Sequence, residues 1–125
     1  MGGGGLMSGA VRKGARSEVI VTVGDEEVEL LFTNRALAEA ERAMGKGLWN
    51  GLQVNELRVD DVAYLIRAGL AAAQRERGRT GKPVSMEDVW RLMDAVGFQK
   101  ALQIAAEAIA EVLTYEPEDD ANPPE

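Results

Sequence analysis

The chain has 125 residues, a formal net charge of −7, and neither cysteine nor histidine. This length predicts one domain, and the two missing residue types exclude disulfide bonds, thiolate or imidazole metal sites, and catalysis by a histidine base. No apolar run approaches the roughly 20 residues of a membrane-spanning helix, and the start of the chain lacks the apolar core of a signal peptide, so a soluble cytoplasmic protein is expected.

The first segment, residues 1–17, is rich in glycine and small residues and has no periodic apolar pattern. It cannot bury enough surface to offset the entropy that ordering would cost, so the segment predicts a flexible arm. Arg12, Lys13 and Arg16 give this arm a charge of +3. The folded body is expected to begin at residue 18.

Two runs with alternating apolar residues follow, Glu18 to Val23 and Glu27 to Phe32. The residues between them include Gly24 and Asp25, which suit a tight turn, so the pattern predicts a β-hairpin. An isolated two-stranded hairpin is only marginally stable in water. One face of this hairpin is therefore expected to pack on helices or to pair with another chain.

A helix is predicted from about Arg35 to Met44. Thr33 and Asn34 precede it with short polar side chains that can accept hydrogen bonds from the first helical amides, and Gly45 and Gly47 end it. The connector after this helix is unusually apolar, with Leu48, Trp49, Leu52 and Val54.

The longest helical pattern begins at Asp60 or a neighbouring residue and ends at Gly78. Gly69 lies inside this helix, where glycine costs roughly 1 kcal/mol relative to alanine. Close approach of another backbone is the expected reason for this glycine. The apolar stripe of the helix consists of Val62, Leu65, Ile66, Gly69 and Ala73.

Two further helices complete the predicted body. Ser85 and Asp88 resemble a capping box at the start of the first, which ends before Gly97. The second runs from Phe98 to about Tyr115, with Ala101, Leu102, Ala105, Ala108, Ile109 and Val112 along one side.

Residues 116–125 combine five acidic residues with three prolines and carry a charge of −5, which predicts a disordered tail. The expected fold class is α+β and mainly α. It comprises an N-terminal β-hairpin packed on a bundle of about four helices, in a single domain of residues 18–115.

Clusters of charged residues have structural explanations. The acids Asp60, Asp61, Glu87 and Asp88 could form a carboxylate pair or a magnesium site, but they lie at predicted helix starts, where acidic side chains are favoured in any case. No histidine is present to activate a serine or threonine. We therefore expect no enzyme activity, no metal ion and no cofactor.

The basic cluster near the end of the second helix contains Arg75, Arg77, Arg79 and Lys82. It could bind phosphate, although a solvated helix end explains it as well, because cations suit a helix C-terminus. The acidic charge of the whole chain disfavours a phosphate backbone as a partner. Nucleic acid is therefore not expected as a partner, and neither is a membrane.

The helix after Ser85 has more apolar residues than one packed stripe requires. Val89, Leu92, Met93 and Val96 form one stripe, and Met86 and Trp90 extend it. The excess predicts a surface for a partner helix, since methionine and aromatic side chains are favoured at interfaces. The alternative is that a small helical domain surrounds this helix on more sides. The candidate partner-binding residues are Trp49, Leu52, Met86, Trp90 and Met93.

The order of these motifs resembles a known family. A β-hairpin is followed by "FTNRALAEAERAMGKGL", "VDDVAYLIRAGLAAA", "SMEDVWRLMDAVG" and an alanine-rich helix. This pattern is similar to the tail assembly chaperones of long-tailed bacteriophages and of gene transfer agents, over residues 18–115. Two features depart from the family pattern: the glycine-rich arm, and Arg67, which stands where an apolar or aromatic residue is expected before Ala68.

The resemblance implies a binding role. Chaperones of this family are thought to coat the long, largely helical tape measure protein and to keep it soluble until tail tube subunits polymerise around it. The tape measure protein is therefore the expected partner, with tail tube subunits as further candidates. The chain is expected in the cytoplasm of the bacterial host and not in the mature virion.

Two other functions remain open from the sequence: a structural tail or connector subunit of a phage particle, and a small regulator that binds nucleic acid through the cluster that begins at Arg75. Homo-oligomers are also open, because an unpaired strand edge can join a second copy.

Overall fold

The computed structural model describes residues 16–48, 57–78 and 83–116. Within these ranges two antiparallel strands come first and four helices follow, so the predicted α+β, mainly α architecture is confirmed. The elements are β1 (Arg16–Val23), β2 (Glu26–Thr33), α1 (Asn34–Met44), α2 (Val59–Glu76), α3 (Met86–Val96) and α4 (Phe98–Leu113).

The hairpin forms as the alternation predicted, although it is longer. Gly24 adopts a φ of 62° in the turn, a conformation that favours glycine, and Val21 pairs with Val28 across the strands. Strand β1 begins at Arg16, so the predicted arm of residues 1–17 is too long by its last two positions. The rest of that arm, like most of the predicted acidic tail, lies outside the described residues.

The two faces of the hairpin differ in burial. Leu30 and Phe32 point to the inner face and are fully buried, whereas Ile20 on the outer face of β1 is 61% exposed. Leu31 also lies on the outer side of β2, yet it is buried. The end of β2 that leads into α1 is therefore covered on both sides, which the alternation did not predict.

Helix α1 has the predicted ends. The Thr33 hydroxyl accepts a hydrogen bond of 3.1 Å from the Ala36 backbone N–H, and Gly45 closes the helix with a φ of 76°. The chain beyond Gly45 remains attached to the helix, because the Leu48 N–H donates to the Glu41 carboxylate over 2.6 Å. Leu48 itself is buried in the core.

Helix α2 lies at the centre of the molecule and contacts β2, α1, α3 and α4. All five residues of its predicted stripe are buried. The helix begins at Val59, next to Asp60, as predicted, and the Asp61 carboxylate accepts the Arg58 N–H over 2.9 Å at this end. The Arg58 side chain has no acceptor, so it cannot accept a hydrogen bond from the helical N–H groups as a serine or threonine cap does.

The reason for Gly69 also differs from the prediction. A β-carbon at this position would lie 2.7 Å from Cζ and 2.9 Å from Cε1 of Phe32. An aromatic ring, and not another backbone, therefore occupies the space that the missing side chain leaves.

Helices α3 and α4 complete the core. Ser85 caps α3 by accepting the Asp88 N–H over 3.1 Å, and Gly97 separates the two helices. Helix α4 ends at Leu113, slightly before the predicted end. Its buried side also includes Ile104, which was missing from the predicted stripe, whereas Leu102 and Ile109 are only partly buried.

Candidate protein-binding surface

The five residues predicted to bind a partner have different locations. Trp49 and Leu52 lie outside the described residues. Met86 and Trp90 are partly buried and pack against the edge of the core. Met93 is only 4% exposed and is part of the core itself.

Helical geometry explains the different burial on α3. Val89 and Met93 are four residues apart and point to the same side, where both are buried against the other elements. Met86 and Trp90 lie at the margin of that side and remain partly accessible. Met93 therefore cannot contact a partner in this conformation, and within α3 the predicted surface is reduced to Met86 and Trp90.

A second surface lies on the side of α2 that faces away from the hairpin. It is a groove of about 420 Å³ that runs between α1 and the residues just before α3. We call it the Arg67 groove. Its lining residues are Glu39 and Ala43 of α1, Tyr64, Arg67, Ala68, Ala71, Gln74 and Arg75 of α2, and Pro83 and Val84.

Two ion pairs hold α1 against α2 in antiparallel orientation beside this groove. Near the start of α2, Lys46 Nζ lies 2.8 Å from Asp61 Oδ2. Near its end, Arg75 lies 3.5 Å from Glu39. The positions of α1 and α2, and with them one wall of the groove, are therefore defined at both ends.

Asp61 is the most strongly buried carboxylate of the described residues, at 4% exposure. Burial alone would raise the pKa of this carboxyl group. The hydrogen bonds from Lys46 and from the Arg58 backbone, together with the two positive charges, outweigh burial and hold the pKa below its ordinary value of 3.8. Asp61 is therefore a charged structural anchor for α1 and α2.

The charges of the groove are unevenly compensated. Glu39 lies 3.5 Å from Arg75 and 3.2 Å from Arg35, so it already faces two guanidinium groups. Arg67 is half-buried, and no carboxylate among the described residues lies within ion-pair distance of it. The groove is consequently cationic although the chain as a whole is acidic.

The basic cluster at the end of α2 is partly engaged within the chain. Besides the contact of Arg75 with Glu39, Arg77 Nε lies 2.6 Å from Glu29 Oε1 of β2, as an ion pair rather than a well-aligned hydrogen bond. Arg79 and Lys82 lie outside the described residues. These intrachain contacts favour a structural role for the two described arginines over phosphate binding.

The described residues contain no cluster of metal ligands and no helix that could span a membrane. Over residues 16–48, 57–78 and 83–116, no three acidic side chains come together in a way that could hold a metal ion. None of the helices in these ranges combines the length and apolar character that crossing a bilayer requires.

The sequence pattern of α2 does not by itself identify the groove. Tyr64, Ala68, Ala71 and Arg75 recur at helical spacing on the side of α2 opposite Gly69 and Ala73. Small residues do not mark a surface by themselves, because they are equally common where helices pack closely. Only the positions of α1 and Val84 show that these small residues line an open groove rather than a close helix contact.

Comparisons of the chain with protein-family models, with curated proteins and with solved structures found no match.

Proposed function

We propose that this protein is a phage tail assembly chaperone that binds the tape measure protein and keeps it soluble until the tail tube polymerises around it. The observation that carries the proposal is the Arg67 groove, an open surface of about 420 Å³ between helices. A groove between helices is a common way to hold an amphipathic helix of another protein. The family itself is suggested by the order of the hairpin and helix motifs.

The charge of the chain fits a holding role. A net charge of −7 on 125 residues disfavours self-aggregation, so a complex with an apolar partner would remain dispersed. The partly accessible Met86 and Trp90 add apolar contact area outside the groove. Binding through such surfaces requires no bond to be made or broken, and no enzyme activity is proposed.

Co-expression tests the proposal directly. The tape measure protein encoded with this chain is produced alone and together with it, and the soluble fraction and co-elution in size-exclusion chromatography are measured. We expect the tape measure protein to be largely insoluble alone and soluble in the complex. Equal solubility without this chain, together with no co-elution, would contradict the proposal.

Two further experiments separate the alternative functions. A structural tail or connector subunit would be present in finished particles, whereas a chaperone is expected to be missing from them by mass spectrometry. A nucleic-acid-binding regulator would bind DNA or RNA at low salt in a gel shift. The contacts of Arg75 and Arg77 with Glu39 and Glu29 leave less positive charge for that interaction.

A further inference from the structure

The Arg67 groove has the dimensions of a helix-binding site. Tyr64 and Arg75 line its two ends, which are about 16 Å apart along α2 at a rise of 1.5 Å per residue. This length equals about three turns of a bound helix. The floor consists of Ala43, Ala68 and Ala71, whose small side chains let another helix approach closely.

The backbone around the groove favours a helix over an extended segment. All lining residues except Pro83 and Val84 belong to α1 or α2, where the backbone groups are already hydrogen-bonded along the helix. An extended chain would find no strand edge there to satisfy its own N–H and C=O groups. A helix satisfies them internally, so it can enter without that cost.

Arg67 selects the charge of the occupant. Its half-buried side chain lines the groove together with the alanines of the floor. An arginine can pack its aliphatic part against apolar surface while its guanidinium stays accessible to a partner. At the Arg75 end of the groove, Arg75 already forms an ion pair with Glu39. A carboxylate on the bound helix would give Arg67 a planar, charge-assisted partner, whereas a lysine would be repelled.

We propose that the Arg67 groove binds an amphipathic helix that carries one acidic residue within its apolar face, with that residue directed at Arg67. This inference rests on the proposed function and specifies the partner segment: a stretch of the tape measure protein with this pattern. Because the rest of the chain is acidic, Arg67 also determines which side of the chaperone such a helix can approach.

Two fluorescently labelled helical peptides of about four turns test the proposal. They share one apolar face and differ at its centre, where one has glutamate and the other lysine. Binding to the full-length chain is measured by anisotropy. We expect the glutamate peptide to bind about tenfold more tightly, and we expect Arg67→Glu to reverse the preference. The matched control, Arg91→Glu, changes a guanidinium that is 72% exposed on α3 and should keep the wild-type preference.

A steric variant tests the same groove independently of charge. Ala71→Trp fills the floor and is expected to abolish binding of both peptides. The control Ala110→Trp places the same side chain on the exposed side of α4 and should bind as the unchanged chain does. Circular dichroism verifies that each variant remains helical.

Equal affinity for the two peptides, a preference that survives Arg67→Glu, or no binding of either peptide would overturn the inference. If both peptides bind only after Glu118, Asp119 and Asp120 are changed to their amides, the acidic tail of the chain itself occupies the groove, which also overturns the inference.

The two proposals fail separately. If Arg67→Glu and Ala71→Trp keep the tape measure protein as soluble as the unchanged chain does, the chaperone function stands and the groove is not its binding site. If the peptides bind selectively but the chain does not make the tape measure protein soluble in co-expression, the groove stands and the chaperone function fails.

Discussion

Small residues occur on both of the opposite faces of α2, and their surroundings differ. On the side of the hairpin, the space above Gly69 is filled by the ring of Phe32. On the other side, the small side chains of Ala68 and Ala71 form the floor of an open groove. Small residues therefore accompany a tightly packed contact on one face and an open groove on the other.

The difference shows that a small residue in the sequence permits close approach but does not by itself specify packing or binding. A glycine or alanine allows a neighbour to come close, but whether one does depends on the elements around it. Strand β2 supplies Phe32 from the same chain, whereas α1 and Val84 stand apart on the groove side. Four substitutions test this contrast, from the packed face to the open one.

The largest effect is expected for Phe32→Ala. Phe32 is fully buried, and removing its ring leaves a cavity above Gly69, so the variant should lose about 3–5 kcal/mol of unfolding free energy. Urea denaturation followed by circular dichroism measures this loss. Ile20→Ala in the same hairpin is the control, and its 61% exposed side chain predicts a change of about 0.5 kcal/mol or less. Similar losses for both variants would show that the ring is not the centre of the packed face.

Asp61→Asn should have the next largest effect, because it leaves Lys46 without its carboxylate at the start of α2. We expect a loss of about 2 kcal/mol at neutral pH, less than for a fully buried pair since the Lys46 side chain is 33% exposed. The exposed neighbour Asp60 provides the control variant Asp60→Asn.

This ion pair also predicts a pH dependence. The pKa of Asp61 is lowered in the folded state, so its contribution is fully present above the unfolded-state pKa and is lost as the pH falls through the lowered folded-state pKa. The stability difference between the wild type and Asp61→Asn should therefore shrink below about pH 4. A difference that stays constant throughout an acid series of urea denaturations would show that Asp61 does not act through its charge.

Gly69→Ala tests the close contact on the packed face. In an ordinary helix this change stabilises by roughly 1 kcal/mol, but here the new methyl group meets the Phe32 ring at 2.7 Å. We expect a net loss of about 1–2 kcal/mol in urea denaturation. The loss should be smaller in a Phe32→Leu background, as a double-mutant cycle would reveal. A stabilised Gly69→Ala variant would mean that the ring moves aside readily.

The smallest effect is expected for Ala71→Leu on the open face. The larger side chain projects into the groove and displaces no atom of the core, so unfolding free energy should change by about 0.5 kcal/mol or less. The same urea experiment measures it. A loss as large as that of Gly69→Ala would show that the two faces of α2 are packed alike.

Much of the fold followed from short-range patterns. Alternation predicted the hairpin with one packed face, and Thr33 and Gly45 marked the ends of α1. These features were predictable because each depends on residues that are adjacent in sequence. The ion pair of Asp61 was less predictable, because its partner Lys46 lies just after α1 and is far from Asp61 in the sequence.

The candidate surface was harder to predict than the fold. Met86, Trp90 and Met93 formed one apolar group in the sequence, and only packing against the other elements assigned Met93 to the core and left the other two at its edge. In the sequence, Arg67 stood out only as a departure from the family pattern, and nothing nearby indicated a groove beside it. The side of the groove opposite α1 is formed by Val84, which lies beyond the end of α2.

The sequence by itself determined the order of strands and helices, their main apolar sides and most of their ends, because periodicity and capping act over one or two turns of chain. The tertiary structure alone decided which small residues are covered. It brought Phe32 onto Gly69 and held α1 away from Val84, because those distances depend on contacts between segments that are far apart in the chain.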